Sequence, residues 1–286
     1  MEKKVKSIPF FLRFIRFVFP IIEQTVPILA KEWIIKLFFH PIRRPLTKKE
    51  ASFIKKCSQR KIFLANETIQ VYELGEGNHF VFCIHGWGGK AAQFKEIAQK
   101  LSENGLKLIL FDCPAHGESS GKKTDLAEMS KTLEELTSLF NPTTCSIIGH
   151  SMGATAALYS IKNNRLEPQN FISISAPSDA GRVLSVFRKK INASKESEKY
   201  IRNYIMDTYN SPIEHYFAGK EPFKTSSKNL IIHDKFDVEA SVDNAYDLEK
   251  ALNADLILTE GNSHNKILGD ELVLEKILSF LQTKKE

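Results

Sequence analysis

From Lys61 onward the chain alternates short apolar runs with amphipathic stretches. KIFLANETIQVYELG, residues 61–75, reads as two antiparallel strands around a polar turn at Asn66–Glu67. After it the pattern predicts strands at Phe80–Ile84, Leu106–Phe111, Cys145–Ile148, Phe171–Ser175, Leu230–His233 and Leu256–Thr259. Between them lie helical stretches at Ala91–Asn104, Asp125–Phe140, Ala154–Ile161 and Val242–Leu252. Glu271–Leu281 closes the chain as a helix with Leu272, Leu274, Ile277, Leu278 and Leu281. Strands alternating with helices predict an α/β fold, a mostly parallel sheet covered by helices on both faces. In such sheets chemistry collects at the carboxyl ends of the strands.

Two segments break the alternation. The first is MEKKVKSIPFFLRFIRFVFPIIEQTVPILAKEWIIKLFFHP, residues 1–41. Phe10, Phe14, Phe17 and Ile21 form a stripe of spacing 4, 3 and 4, with Lys6, Arg13 and Arg16 to one side. That pattern suits a helix lying in a membrane surface. It suits equally a helical extension that packs on the domain or on a second copy, and the sequence leaves both readings open. The charged start resembles a secretory signal, but two arginines interrupt the apolar stretch and no small-residue cleavage site follows. No run reaches the roughly 18–20 uninterrupted apolar residues of a membrane span. The second segment, about 178–228, carries Leu184, Phe187, Tyr200, Ile201, Tyr204 and Ile205 and reads as a small helical insertion. Its Lys189, Lys190, Lys195 and Arg202 suit a solvated helix face or an anionic head group. The expected organisation is an N-terminal amphipathic extension over 1–60 and an α/β domain over 61–286, with the insertion as a cap.

Composition narrows the class. In 286 residues, 42% are hydrophobic and 26% charged, as in a globular protein with a sizeable core. The net charge of +6 comes from 40 basic and 34 acidic residues, and much of the excess falls in the first 61. There is no recognition motif to go with it, so nucleic acid is not an expected partner. The four cysteines, Cys57, Cys83, Cys113 and Cys145, show neither metal spacing nor a disulfide framework. That usage fits a reducing compartment, so the expected location is cytoplasmic, with peripheral membrane attachment if the first helix lies on a bilayer.

The candidate chemistry starts at SIIGHSMGATAAL, residues 146–158. A strand ends, Ser151 stands between Gly149 and Gly153, and a helix follows. A serine on such a tight strand-to-helix turn is exposed as a nucleophile, and the helix aims its N-terminus at developing negative charge. Residues two before and two after must be small, or they collide across the turn. A nucleophile needs partners. FCIHGWGGK, residues 82–90, ends a strand in a glycine-rich turn, where the Trp87 N–H together with the Met152 N–H can form an oxyanion hole. In LILFDCPAHGESSG, residues 108–121, Asp112 reads as a structural carboxylate that bonds backbone N–H groups, and His116 likewise as structural. In NLIIHDKFDVEAS, residues 229–241, Asp237 is placed to orient a histidine, whereas Asp234 sits where a short acid bonds its own turn. In LTEGNSHNKIL, residues 258–268, His264 lies in the loop after the last strand, placed as general base. His150 is expected to point away from substrate.

GHSMG, HGWGG, the Asp112–Ser119 stretch, HDKFD and GNSH, in the order Ser151, Asp237, His264, resemble the α/β-hydrolase superfamily over about residues 61–286. They are most similar to its serine hydrolases of esterase and lysophospholipase type. The departures are Ala154 where a third glycine is common, His233-Asp234 for the more usual His-Gly, and Ala240 for proline. The resemblance implies acyl transfer through an acyl-enzyme, with no metal or organic cofactor. It implies a small acyl substrate, with lipophilic esters or thioesters fitting the apolar insertion, since helical caps inserted at that place shape the acyl pocket. Peptidase and carbon–carbon hydrolase activities share the same triad. A non-catalytic partner-binding protein on the same scaffold is the alternative of another class.

Overall fold

The computed structural model describes residues 10–219 and 221–282. Strands β1 (Ser58–Leu64) and β2 (Glu67–Leu74) form an antiparallel hairpin. Its turn residues Ala65 and Asn66 both have positive φ, 51° and 65°, which matches the right-handed twist of the flanking strands. The remaining strands are β3 (His79–Ile84), β4 (Lys107–Phe111), β5 (Thr144–His150), β6 (Asn170–Ile174), β7 (Lys228–Asp234) and β8 (Asp255–Thr259). They order as β1-β2-β4-β3-β5-β6-β7-β8, antiparallel at β1–β2 and β2–β4 and parallel elsewhere. Phe82, Cys83 and Ile84 of β3 and Ile147 and Ile148 of β5 are fully buried, because a central parallel strand is covered on both faces. β1, at the edge, is mostly exposed.

The helices in chain order are α1 (Phe10–Thr25), α2 (Pro27–Phe39), α3 (Lys48–Ile54), α4 (Lys95–Glu103), α5 (Leu126–Phe140) and α6 (Met152–Lys162). Then come α7 (Ala180–Ile191), α8 (Lys195–Tyr209), α9 (Asp243–Leu252), α10 (Ser263–Lys266) and α11 (Glu271–Gln282). The structure differs from the sequence pattern in several places: α3 is not among the expected helices, and β1 begins at Ser58, inside the expected extension. The helix expected from Ala91 begins as a 3₁₀ turn, Ala91–Phe94, before α4. His264 lies in the one-turn helix α10 and not in an open loop. Elsewhere local signals set the ends. Asp125 caps α5 through the Glu128 N–H at 2.8 Å, and Asn141 ends it in a left-handed conformation.

The described chain falls into two compact units. One combines the residues up to Phe39 with Ala180–His215, and the other combines His40–Asp179 with the chain from Tyr216 onward. In the first unit α1 packs on α2 and α7, and α8 packs on α2 and α7. Ile15, Phe19, Ile34, Leu184, Ile201 and Ile205 are buried there. Each large side chain so buried is worth roughly 1.5–3 kcal/mol. Polar groups fix the register. Arg16 donates to the Lys189 and Lys190 carbonyls at the end of α7, at 2.8 and 3.1 Å. Glu23 accepts from the Ser194 N–H and hydroxyl at the start of α8, at 3.1 and 2.6 Å. Each charge meets the helix end whose dipole it complements. The other side of α1 is open: Phe14, Phe17 and Ile21 are half or more exposed. Lys6 and the Phe10 side chain, which the sequence pattern joins to that stripe, lie outside what is described. Among the described residues no helix is long and apolar enough to cross a membrane.

In the second unit α4 and α11 cover one face of the sheet through Ile97, Leu101, Ile277 and Leu278, against Val81, Leu108, Ile148 and Ile232. α5 and α6 pack together, and both contact β3. The carboxyl ends of β3 to β8 are thereby gathered on one edge, where the loops carrying the candidate residues emerge.

Candidate active site

β5 ends at His150 and α6 begins at Met152, so Ser151 carries the whole reversal. Its φ of 53° and ψ of −129° lie in a region that side-chain-bearing residues rarely occupy. The strain is held by a bond from the Ser151 N–H to the Ile174 carbonyl at 2.9 Å. The flanking glycines are required by close approach. A Cβ on Gly149 would overlap the backbone of Ala154, and one on Gly153 would overlap the Ile84 and His85 carbonyls. They are small because of the helix and the neighbouring strand, and not because they would meet each other across the turn.

Ser151 Oγ lies 2.9 Å from His264 Nε2. His264 Nδ1 lies 2.7 Å from Asp237 Oδ2. Because the carboxylate only accepts, Nδ1 carries the proton, and Nε2 of the neutral ring is left to accept from the serine. Asp237 Oδ1 accepts from the Glu239 and Ala240 N–H groups at 2.8 and 3.1 Å. Burial opposes ionisation of this carboxyl, but the bond from His264 and the two N–H groups outweigh it and hold its pKa below the usual value. Asp234 turns elsewhere. It accepts from the Phe236 N–H at 3.0 Å in its own turn, from Thr259 Oγ1 at 2.9 Å and from the Asn262 N–H at 2.7 Å. The structure therefore brings Ser151, His264 and Asp237 together and leaves Asp234 aside.

The turn after β3 abuts the serine. A Cβ on Gly86 would lie 2.7 Å from Ser151 Cβ and 3.2 Å from its Oγ, so Gly86 packs against the serine side chain. Met152 is the first residue of α6, directly after the serine. Asp112 accepts from the Ala91 and Glu118 N–H groups at 2.7 and 2.9 Å and from the Tyr72 hydroxyl, the structural part its short acid suggests.

Two residues of the site, His85 and Arg43, escape a reading by motif, and His116, expected to be structural, and His150, expected to turn from substrate, join them. His150 Nε2 donates to the main-chain oxygen of His264 at 2.8 Å. His85 and His116 join the turn after β3 to the loop after β4, their rings 4.8 Å apart. Arg43 donates to four carbonyls of that second loop. Burial pushes the pKa of His85 down to about 4 and those of His116 and His150 to about 3, so all three are neutral. The signal available for the histidines was their number beside glycines at strand ends. For Arg43 the sequence carries none. Among the described residues no group of three or more His, Cys, Asp or Glu side chains is arranged to hold a metal ion.

Residues 75–221, just over half of the chain, match the sequence profile of the serine aminopeptidase S33 family. The chain belongs to that family. Its sheet order and the elbow at Ser151 are those of the α/β-hydrolase fold. Among curated proteins it is similar to the protein phosphatase methylesterase 1 of Candida albicans, at 28% identity over 39% of this chain and 32% of that protein. It is also similar to the monoacylglycerol lipase of Mycolicibacterium smegmatis, at 32% identity over 26% of this chain and 29% of that protein. The chain thus spans about a third of the length of these relatives. An esterase of Pyrococcus furiosus superposes with a TM-score of 0.62 at 16% identity, over 85% of this chain and 96% of that one, which shows the shared fold.

Proposed function

We propose that this S33-family protein hydrolyses carboxylic esters of lipophilic acyl groups, with Ser151 as nucleophile, His264 as general base and acid, and Asp237 as the group that orients it. The observation that carries the reading is the continuous chain Ser151 Oγ–His264 Nε2 and His264 Nδ1–Asp237 Oδ2, at 2.9 and 2.7 Å. His264 Nε2 takes the serine proton as Oγ attacks the carbonyl carbon. The oxyanion is met by the N–H groups of Trp87 and Met152, each worth about 10²–10³-fold in rate. The imidazolium, stabilised by Asp237, then protonates the leaving alcohol. Water attacks the acyl-serine with His264 as base, and His264 returns the proton to Ser151 Oγ as the acid leaves. No step calls for a metal or an organic cofactor.

The ester preference is supported by the relatives, which are named as a methylesterase and a lipase. The lipophilic preference is supported by Phe236 and Val238 on either side of Asp237, which are 57% and 88% exposed. Exposed apolar side chains beside a polar constellation offer an acyl chain a surface to cover. The family's description as an aminopeptidase supports amide cleavage as a second reading. A panel of 4-nitrophenyl esters from acetate to palmitate, run beside aminoacyl anilides, tests both. Turnover that rises with acyl length and vanishes in Ser151→Ala supports the ester reading. Turnover of the anilides alone replaces it with the second.

A further inference from the structure

Arg43 lies outside the stretch that matches the family, in the segment between α2 and α3. Its guanidinium donates through Nε to the Ala115 carbonyl at 3.2 Å and through Nη1 to Gly117 at 3.0 Å. Nη2 reaches the Ser119 and Gly121 carbonyls at 2.6 and 2.8 Å. Four carbonyls on alternate residues converge on one cation. They converge because Ala115, Gly117 and Gly121 have positive φ, 65°, 45° and 91°, which curls the loop inward. Without the cation their dipoles would repel, and the curl would lose its centre.

His116 sits between the first two of these carbonyls. Its Nδ1–H donates to the Pro114 carbonyl at 2.9 Å, so Nε2 is an acceptor, and it takes the Gly88 N–H at 2.9 Å. A return bond runs the other way. His85 donates from Nδ1 to the Gly86 carbonyl at 2.8 Å and accepts the Cys113 N–H at Nε2, at 3.0 Å. The turn Gly86–Gly89, closed by the Gly89 N–H to the Gly86 carbonyl at 3.0 Å, is thus tied to the loop after β4 at both ends. Trp87, whose N–H faces the oxyanion in the proposed reaction, lies inside that turn.

We propose that Arg43 acts through His116 to set the oxyanion turn Gly86–Gly89, so that both are positioning residues for acyl transfer. The inference rests on the reading of Ser151 as nucleophile and of the Trp87 N–H as oxyanion donor. Arg43 centres the loop, the loop fixes the His116 ring, and the ring fixes Gly88 and the peptide before it. A donor displaced by about 1 Å loses most of its worth in the transition state and little of its worth in substrate binding, so the effect falls on kcat.

The test uses the full chain as wild type, Arg43→Met, Arg43→Lys, His116→Ala, His116→Gln and the double variant Arg43→Met/His116→Ala. Turnover of 4-nitrophenyl butyrate is divided by the sites that a fluorophosphonate titrates, so unfolded molecules do not count. Arg43→Met and His116→Ala each lower kcat per site on the order of 10–100-fold, with KM changed less than about threefold. The double variant falls no more than about threefold below the poorer single one, because the two act in series. Glutamine at 116 can accept the Gly88 N–H through its amide oxygen and keeps kcat within about threefold of wild type. Arg43→Lys, a single point charge that cannot span four carbonyls, falls in between and carries the test if Arg43→Met does not fold. Values of kcat per site within about twofold of wild type for His116→Ala and the Arg43 variants overturn the proposal, as do fully multiplicative losses in the double variant. Wild-type protein that the fluorophosphonate does not label at Ser151 overturns the underlying reading and this inference together, whereas labelled wild type with unaffected variants overturns the inference alone.

Discussion

His150 and His264 are joined side chain to main chain: Nε2 of His150 donates to the carbonyl oxygen of His264 at 2.8 Å, and their rings lie 4.9 Å apart. The residue before the elbow serine therefore fixes the backbone of the residue that faces that serine. His150→Ala leaves the carbonyl without this partner and frees the turn of α10. The expected result is a fall in kcat of about tenfold, with KM nearly unchanged. His150→Gln, whose amide can donate to the same oxygen, recovers most of it. Equal losses in the two variants, read by steady-state kinetics, would show that packing of the ring and not the bond matters.

Acid should destabilise the protein well before its carboxylates titrate. The folded pKa values of His85, His116 and His150 are depressed to about 4, 3 and 3, against about 6.5 unfolded. A group depressed in the folded state contributes stability that is present above its unfolded value and lost as pH falls toward its folded one. Between pH 6.5 and 4 these three groups let the unfolded chain bind up to three protons that the folded chain refuses, and His79 and His233, whose pKa values burial also lowers, add to them. The first three groups at about 1.4 kcal/mol per pH unit make roughly 4 kcal/mol per unit as their upper limit. Asp237, also depressed, adds its share only below the ordinary carboxylate range. Urea midpoints at pH 7.0 and 5.0 check this. The midpoint falls at pH 5.0, and His150→Gln makes the fall shallower by about one proton. A midpoint equal at both pH values contradicts it.

Much of the sheet was legible because each strand is a short apolar run closed by glycine, proline or a polar turn, and such signals are local. β3, β5 and β7 came out within two residues of the expected ends for that reason. The elbow was legible too, since Gly149, Ser151 and Gly153 act within five residues. What stayed hidden depends on groups far apart in the chain. The bonds from Arg16 to Lys189 and from Glu23 to Ser194 span 173 and 171 residues. No periodicity in either helix announces them. The Phe14–Phe17–Ile21 stripe was visible, but Ile15 and Phe19, one or two places round the helix, are the residues that α1 buries. α1 is amphipathic, with Arg13 and Arg16 on its polar side, but its apolar side is broad enough to include both sets, so spacing alone does not say which of them is buried. Arg43 is one arginine among many, and only the curl of residues 115–121 shows what it holds.

The same pairing of helices makes truncation informative. Leu184, Ile191, Ile201 and Ile205 are buried in a unit that includes α1 and α2. Removing residues 1–39 takes away their partners Ile15, Phe19 and Ile34. The expected outcome is rapid proteolysis confined to residues 180–215, read by limited trypsin digestion and mass spectrometry. Residues 216–282 keep their protection. Removing residues 1–47 also takes Arg43, and kcat per titrated site should then fall further, on the order of tenfold. Protection of 180–215 equal to that of the full chain would show that α7 and α8 fold without the N-terminal helices.

The two aspartates after β7 should separate cleanly in kinetics. Asp237 Oδ2 receives the His264 Nδ1 proton at 2.7 Å, while its Oδ1 is held by two N–H groups. In Asp237→Asn, Oδ1 still suits those donors, so the amide NH₂ must point at His264. An NH₂ cannot accept from Nδ1–H, so the ring turns to the tautomer with its proton on Nε2 and can no longer take one from Ser151. The loss in the protease worked example is about 10⁴ in kcat, and a loss of several orders of magnitude is expected here with little change in melting temperature. Asp234 binds the Asn262 N–H and Thr259, two and five residues before His264. Asp234→Asn still offers one oxygen to that loop but loses an acceptor among three donors. Its cost should appear mainly as a melting temperature lowered by a few degrees, with kcat down less than about tenfold. Burial of an uncompensated amide in place of Asp234, which is fully buried, works in the same direction. Stopped kinetics in Asp234→Asn beside near-normal turnover in Asp237→Asn would assign the orienting acid to Asp234 and overturn the role proposed for Asp237.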